Sequence, residues 1–302
     1  MGAKPLAIIV GAIFCVLGIF TFQTDSCASE PKLLEVSQGE IFELRVSGLG
    51  VTAVEGNLGK NKVLFYPDED QKYSALVGID LDTKPRTLNV IIKSTTRAGT
   101  QRQVAIPVKV KAKAFPQESF TVAAEFDELG PALLERIRQE QAQLDQLFAI
   151  STLQRSWDLP FIAPVSADIS SPFGYRRVIN GTPRAPHTGV DLRAPIGTEV
   201  QAANNGRVAL MGDFFYSGKS IFLDHGGGLY TMYFHLSQFK VEKGMEIRKG
   251  DIIGLSGMTG RVTGPHLHWG ARINSARVDP FELIEKLSGK AQTNFAGDVK
   301  ME

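Results

Sequence analysis

The stretch Gln103-Val-Ala-Ile-Pro-Val-Lys-Val-Lys111 places Val104, Ile106, Val108 and Val110 on one face of an extended chain. Gln103, Ala105, Pro107 and Lys109 fall on the other face. A period of two over this length is the mark of a half-buried strand. Phe42, Leu44 and Val46 alternate in the same way, as do Val63 and Phe65. Ser47-Gly48, Glu55-Gly56-Asn57, Pro67-Asp68-Glu69-Asp70 and Arg97-Ala98-Gly99 supply turns between such runs. About seven short strands at this spacing predict an antiparallel β-sandwich over 32–114. Pro107, which has no N–H for a ladder, places its strand at a sheet edge. Downstream, 115–160 reads as a linker with one amphipathic helix. Pro131 suits its first turn, with Leu133, Leu134, Ile137, Leu144, Leu147 and Phe148 on one side and Glu135, Arg138, Glu140 and Asp145 opposite. From 161 to 287 glycine becomes frequent and short strands return, which predicts a second antiparallel β domain. The chain is therefore read as mainly β, and 288–302 as a flexible polar tail.

The 302 residues carry 33 Lys+Arg against 32 Asp+Glu. That balance gives no electrostatic footprint for nucleic acid. At the start, Lys4 precedes an uncharged apolar run from Pro5 to Phe22, closed by the small residues Cys27-Ala28-Ser29. This is the pattern of a secretory signal over 1–28, cleaved after Ala28. The run is also long enough for a membrane anchor, which would hold the chain to the inner membrane if it stayed uncleaved. The expected location is exported, in the periplasm or cell envelope, with membrane contact only through that segment. Both cysteines, Cys15 and Cys27, lie inside it. The mature chain then has neither a disulfide framework nor a thiolate, so any metal site must use His, Asp and Glu.

All five histidines, His187, His225, His235, His266 and His268, fall in the second domain. In a strand His266 and His268 share a face, so one can ligate a metal while the other acts beside it. His187-Thr-Gly-Val-Asp191 brings a histidine and an aspartate together across a glycine. Asp191 sits between Val190 and Leu192, where an unpaired carboxylate would be costly. Two nitrogens and one carboxylate oxygen suit a catalytic zinc, which keeps a fourth position for water. A structural zinc normally closes all four positions, usually with cysteine. His235, in Tyr230-Thr-Met-Tyr-Phe-His-Leu236, shares a strand face with Tyr233 on this reading. It is either a core residue or an acid/base group beside the metal. His225, at the turn Asp224-His-Gly-Gly-Gly228, reads as structural or surface. No Gly-x-Ser-x-Gly elbow, His-Glu-x-x-His helix or Walker loop occurs.

Four motifs in order carry a resemblance: Ser171-Pro-Phe-Gly174-Tyr-Arg176, His187-Thr-Gly-Val-Asp191-Leu, Tyr233-Phe-His235-Leu236, and Gly254 through Gly264-Pro-His266-Leu-His268-Trp-Gly270. Over about Phe161 to Glu285 the chain resembles the lysostaphin/LytM-type zinc endopeptidases. The resemblance implies a compact antiparallel β-sheet peptidase domain with a groove floored by one zinc ion per chain. It implies His187, Asp191 and His268 as ligands, and His266 and His235 as the two further catalytic histidines. It implies hydrolysis of peptide cross-links in bacterial peptidoglycan, with stem peptides as the partner. His266 is read as general base, and His235 as oxyanion donor or acid to the leaving amine. Arg176 is read as lining the substrate groove. The alternative is a peptidoglycan-binding regulator that activates another hydrolase. The N-terminal domain is expected to regulate access to the site or to locate the enzyme.

Overall fold

The computed structural model describes residues 33–68, 72–120, 130–150, 152–179, 181–288 and 295–301. The export segment of the sequence reading lies outside these residues. Among the described residues no helix is long and apolar enough to cross a membrane.

The N-terminal strands form two facing sheets. One has five strands in the order Leu34–Ser37, Gln101–Lys111, Thr87–Thr96, Val51–Leu58, Asn61–Val63. The other has four, in the order Phe295–Lys300, Ile41–Ser47, Tyr73–Gly78, Tyr66–Pro67. Between them lie Leu44, Val46, Val90, Ile92, Val108 and Val110, all buried. The alternation read from the sequence thus points into one core.

Three details depart from expectation. Gln101–Lys111 is flanked on both sides, by Thr87–Thr96 and by Leu34–Ser37. Its parallel partner begins only at Leu34 opposite Val108, one residue beyond Pro107, so the proline sits past the end of that ladder. Second, the tail is not a loose appendage throughout. Phe295–Lys300 adds a parallel strand beside Ile41–Ser47, and Met301 is buried against the sandwich. An unpaired edge at Ile41–Ser47 is what draws it in. Third, the sandwich is mixed, because both of these added pairs are parallel.

The main sheet of the second β region has eight strands. Its path runs Ile169–Ser171, Gly189–Leu192, Leu267–Ile273, Leu229–Leu236, Gly218–Asp224, Gly206–Phe214, Glu246–Ile247, and Ala276–Val278 also pairs with Leu267–Ile273. One face packs on the main core through Leu192, Leu267, Trp269, Thr231 and Tyr233, all buried. The buried His225 ties that face together, with Nδ1 on the Asn205 carbonyl at 2.6 Å and Nε2 on Thr231 Oγ1 at 2.7 Å. Burial lowers its pKa to about 4, so it is a neutral structural histidine.

The linker helix, Pro131–Ala149, lies on the other face. Leu144, Leu147 and Phe148 pack on Phe214, Phe222 and Met232. Tyr230 Oη donates to the Ile150 carbonyl at 2.6 Å, and Phe148 lies 4.3 Å from the Arg272 guanidinium. Leu134 is exposed, and Glu140 instead faces the sheet, accepting from the Phe215 N–H at 2.9 Å. The half-buried stripe is otherwise the one the sequence suggested, with Leu133, Ile137, Leu144, Leu147 and Phe148 in it.

The two β regions belong to one compact unit, Pro31–Glu302. Ile41, Tyr66, Leu76 and Leu81 of the sandwich join Trp157, Phe161, Ile273, Val278 and Leu283 in a single cluster. Arg277 forks onto Asp80, with Nε to Oδ2 at 2.9 Å and Nη2 to Oδ1 at 2.7 Å, and reaches Asp82 at 2.9 Å. At Gly78 a Cβ would meet Val278 Cγ1 at 2.7 Å, so the two regions touch backbone to side chain. The sandwich is therefore part of the foundation of the second domain.

Glu282, on the short helix Pro280–Lys286, is buried at this seam with no partner for Oε2 among the described residues. Burial raises its pKa to about 7, and Glu40 adds to the rise while Lys286 and Lys113 oppose it. The folded chain therefore holds this proton more tightly than the unfolded chain. That contribution to stability is present below the usual carboxylate range and is lost as pH rises through about 7. Glu282→Gln should leave thermal stability nearly unchanged at pH 5 and raise Tm by several degrees at pH 8.5. Melting curves at the two pH values check this, and equal shifts at both would contradict it.

Candidate metal centre and active site

The site is built on strand register. Gly189–Leu192 pairs with Leu267–Ile273 so that Asp191 stands opposite His268. Leu229–Leu236 pairs on the other side so that Phe234 stands opposite His268. Directly opposed residues share a sheet face, so all three project to the side away from the Trp269 core. His187 comes in from the loop just before Gly189–Leu192.

Three ligand-capable atoms then converge. His187 Nε2 is 3.0 Å from Asp191 Oδ1 and 2.9 Å from His268 Nδ1, and His268 Nδ1 is 3.0 Å from Asp191 Oδ1. This His-Asp-His group is one that could hold a metal ion. Burial would push the Asp191 carboxyl up, but hydrogen bonds and charge from His187 and His268 hold it well below the usual carboxylate range. Burial pulls the His268 imidazole down, against the pull of Asp191. The group thus presents an ionised carboxylate to a His268 imidazole that resists protonation.

Backbone carbonyls fix the ring orientations. The Nδ1–H of His187 donates to the Pro172 carbonyl at 2.9 Å, with Ser171 Oγ at 3.4 Å, which turns its Nε2 lone pair inward. His235 Nδ1 lies 2.9 Å from the Thr259 carbonyl, and His266 Nδ1 2.8 Å from that of Gly264. His266 Nε2 is 3.6 Å from Asp191 Oδ1, and the His235 and His266 rings are 4.8 Å apart. Such carbonyl contacts set both tautomer and aim.

His235 departs from the simple strand reading. Its φ is +61°, in the left-handed region that costs a non-glycine residue about 1–3 kcal/mol. Tyr233 points into the core, its Oη accepting from the Ala203 N–H at 2.9 Å. The backbone twist takes the His235 ring off that face and beside His266. Burial, and then the charge of His268, lower its pKa to about 4.

All five sequence-selected residues, His187, Asp191, His235, His266 and His268, are therefore brought together. Arg176 is placed differently: its guanidinium lies 3.3 Å from Asp82 and over the Phe115 ring at 5.6 Å. Its strand, Arg176–Ile179, pairs in parallel with Gln117–Phe120 of the linker. Sequence reasoning missed Phe234, whose ring is stacked on His268 at 5.1 Å and 4°. It also missed the role of Gly189. A Cβ there would collide with the Trp269 carbonyl and stand 2.6 Å from His268 Nε2. The glycine inside His187-Thr-Gly-Val-Asp191 was the available signal.

Comparison with known proteins agrees with this construction. The model of peptidase family M23 matches residues 185–280. A crystal structure of a Pseudomonas aeruginosa protein assigned to peptidase M23 is 31% identical, with a TM-score of 0.64, covering 82% of this chain and 94% of that one. The chain belongs to peptidase family M23. Among curated proteins, the DD-carboxypeptidase/endopeptidase Mpg of Neisseria meningitidis is 47% identical over 116 residues, 38% of this chain and 26% of that protein. The peptidoglycan DD-endopeptidase ShyA of Vibrio cholerae is 47% identical over 102 residues, 33% of this chain and 24% of that protein. The match thus spans about a quarter of the length of these relatives.

Gly189→Ala should displace the His268 ring and weaken divalent-metal binding more than tenfold, with a lower Tm. At Gly270 a Cβ would press on the flexible Met232 Cε at 2.9 Å and meet His268 Nε2 only at an ordinary 3.7 Å, so Gly270→Ala should do far less. Metal affinity measured by chelator competition for both variants checks the contrast.

Proposed function

We propose that this chain is a zinc-dependent endopeptidase that hydrolyses peptide cross-links of bacterial peptidoglycan. The observation that carries the reading is the convergence of two imidazole nitrogens and a carboxylate oxygen, with two further histidines turned toward them. The donor set fits zinc. Ligand bonds of about 2.0–2.1 Å in tetrahedral array put ligand atoms roughly 3.3 Å apart. The three atoms here stand 2.9–3.0 Å apart, a few tenths inside that spacing. His187, Asp191 and His268 would hold one ion per chain. When bound, zinc supplies a Lewis acid and a water whose pKa falls to about 7.

The remaining chemistry falls to the chain. His266 Nε2, beside Asp191, accepts a proton from the attacking water as its oxygen bonds the scissile carbonyl carbon. His266 passes that proton to His235, whose ring lies beside its own, and His235 delivers it to the leaving amine as the C–N bond breaks. With its Nδ1–H donated to Thr259, neutral His235 presents an Nε2 lone pair, not a donor. That lone pair receives the proton, and only the protonated ring can serve as acid to the amine or as donor to the oxyanion. Arg176, tied to Asp82 by one guanidinium nitrogen and still partly exposed, stays the proposed substrate-groove residue.

The substrate class rests on the relatives, whose names include peptidoglycan DD-endopeptidases. A cell-wall substrate and the signal-like pattern of residues 1–28 together support an exported protein of the cell envelope. Purified peptidoglycan treated with the zinc-loaded protein should release cleaved cross-linked muropeptides, read by mass spectrometry. Asp191→Ala should abolish release. His235→Ala should keep zinc and lose on the order of 10²–10⁴ in rate. Undiminished turnover in the His235 variant would defeat the proton-transfer assignment. Zinc binding without any cleavage would favour the regulator reading.

A further inference from the structure

The linker helix and the metal centre share one face of the eight-stranded sheet. Phe222 stands opposite Met232, and Met232 opposite Gly270, so these three share a face. Phe234, two residues past Met232, is on that face too, opposite His268. Along it runs a row of rings. Phe148 of Pro131–Ala149 meets Phe222 edge-on at 6.3 Å. Phe222 meets Phe234 at 5.3 Å and 56°. Phe234 lies flat on the His268 imidazole.

Each ring is fixed from its far side. Phe148 is held by Arg272 at 4.3 Å and by Tyr230 edge-on at 5.4 Å. Phe222 also packs on Phe214 at 5.8 Å. His268 has no such latitude on the other side, because Gly189 lies against its Nε2. His187, His235 and His266 are each oriented by a carbonyl on Nδ1, whereas His268 turns its Nδ1 toward Asp191. Its plane is set by stacking instead of by a hydrogen bond to a carbonyl.

We propose that Phe234 is a positioning residue for the ligand His268, buttressed through Phe222 by Phe148, so that docking of the linker helix and metal affinity are coupled. This rests on the reading of His187, Asp191 and His268 as metal ligands. An aromatic pair contributes about 0.5–1.5 kcal/mol beyond area burial. Losing the stack therefore weakens zinc binding by up to about tenfold, since 1.4 kcal/mol is a factor of ten. The helix is held by few side chains, so an undocked helix leaves a softer metal site without touching a ligand.

The test is zinc affinity of the full mature chain, measured by chelator competition for Phe234→Leu, Phe234→Tyr, Phe148→Ala and the double variant Phe148→Ala/Phe234→Leu. Cobalt(II)-loaded spectra read the geometry at the ligands. Phe234→Leu should lose several-fold to tenfold in affinity and shift the cobalt bands, while Phe234→Tyr, which keeps the ring, stays within twofold. Phe148→Ala should lose a few-fold, and the double variant should lose no more than Phe234→Leu alone, because one row of contacts carries both effects. Wild-type affinity in both single Phe→Leu and Phe→Ala variants, or losses that simply multiply in the double variant, would overturn the proposal. Asp191→Ala separates the two readings: if it binds zinc as tightly as the wild type, the ligand assignment itself is wrong and the buttress falls with it.

Discussion

Asp191 and His268 face each other across one antiparallel register pair, and much of the molecule is arranged around that meeting. A carboxylate among apolar strand residues is tolerable only with compensating hydrogen bonds or a cation. Here the compensation comes from His187, held by the Pro172 carbonyl, and from His268, stacked on Phe234. The neighbouring strand positions point the other way, sending Leu192, Leu267 and Trp269 into the core. Site and core are thus two faces of the same three strands. A one-residue slip would bury the ligands and expose the tryptophan, which is a strong reason for the register to be unique. Strands are also better platforms than loops for a constellation that must hold to a fraction of an ångström.

That rigidity extends beyond the sheet. The core beneath the ligands continues into the N-terminal sandwich through Tyr66, Leu76 and Leu81, and the Arg277 fork onto Asp80 pins the seam. Two regions that composition separates are energetically one body. Of the buried aromatic residues at the join, Tyr66 meets Trp157 edge-on and Trp157 meets Phe161 at a 51° tilt. A peptidase domain cut from this context would expose that surface.

The sequence made the site more legible than its setting. Five histidines, one suitably placed aspartate and no cysteine beyond Cys27 narrowed the ligand set before any fold was in view. Spacing alone left His266 and His268 interchangeable, because residues two apart in a strand are equivalent by period. The register with Asp191 separates them. The His235 twist was illegible because a left-handed φ at a histidine has no sequence signature like that of glycine. Alternation in Gln103–Lys111 correctly marked an inward face, but pattern within a strand carries no information about partners far along the chain. For that reason the flanking of Pro107 and the pairing of the tail were both misread. Helix existence and its apolar stripe were plain in Pro131–Ala149, while the place of Glu140 in that stripe depends on the Phe215 N–H, a contact with no local trace.

The pairing of Phe295–Lys300 with Ile41–Ser47 bears on how such a chain comes into being. During vectorial synthesis the sandwich emerges early, yet one of its sheets stays a strand short until the far end of the described chain arrives. Ile41–Ser47 must meanwhile present a bare edge, the kind of surface that invites pairing with another chain. Closure between such distant segments is entropically slow. The sandwich, whose other strands come well before Phe295 in the sequence, is therefore completed late, and assembly is cooperative between the two β regions instead of proceeding domain by domain. A newly made copy stays most vulnerable to misassembly at that open edge.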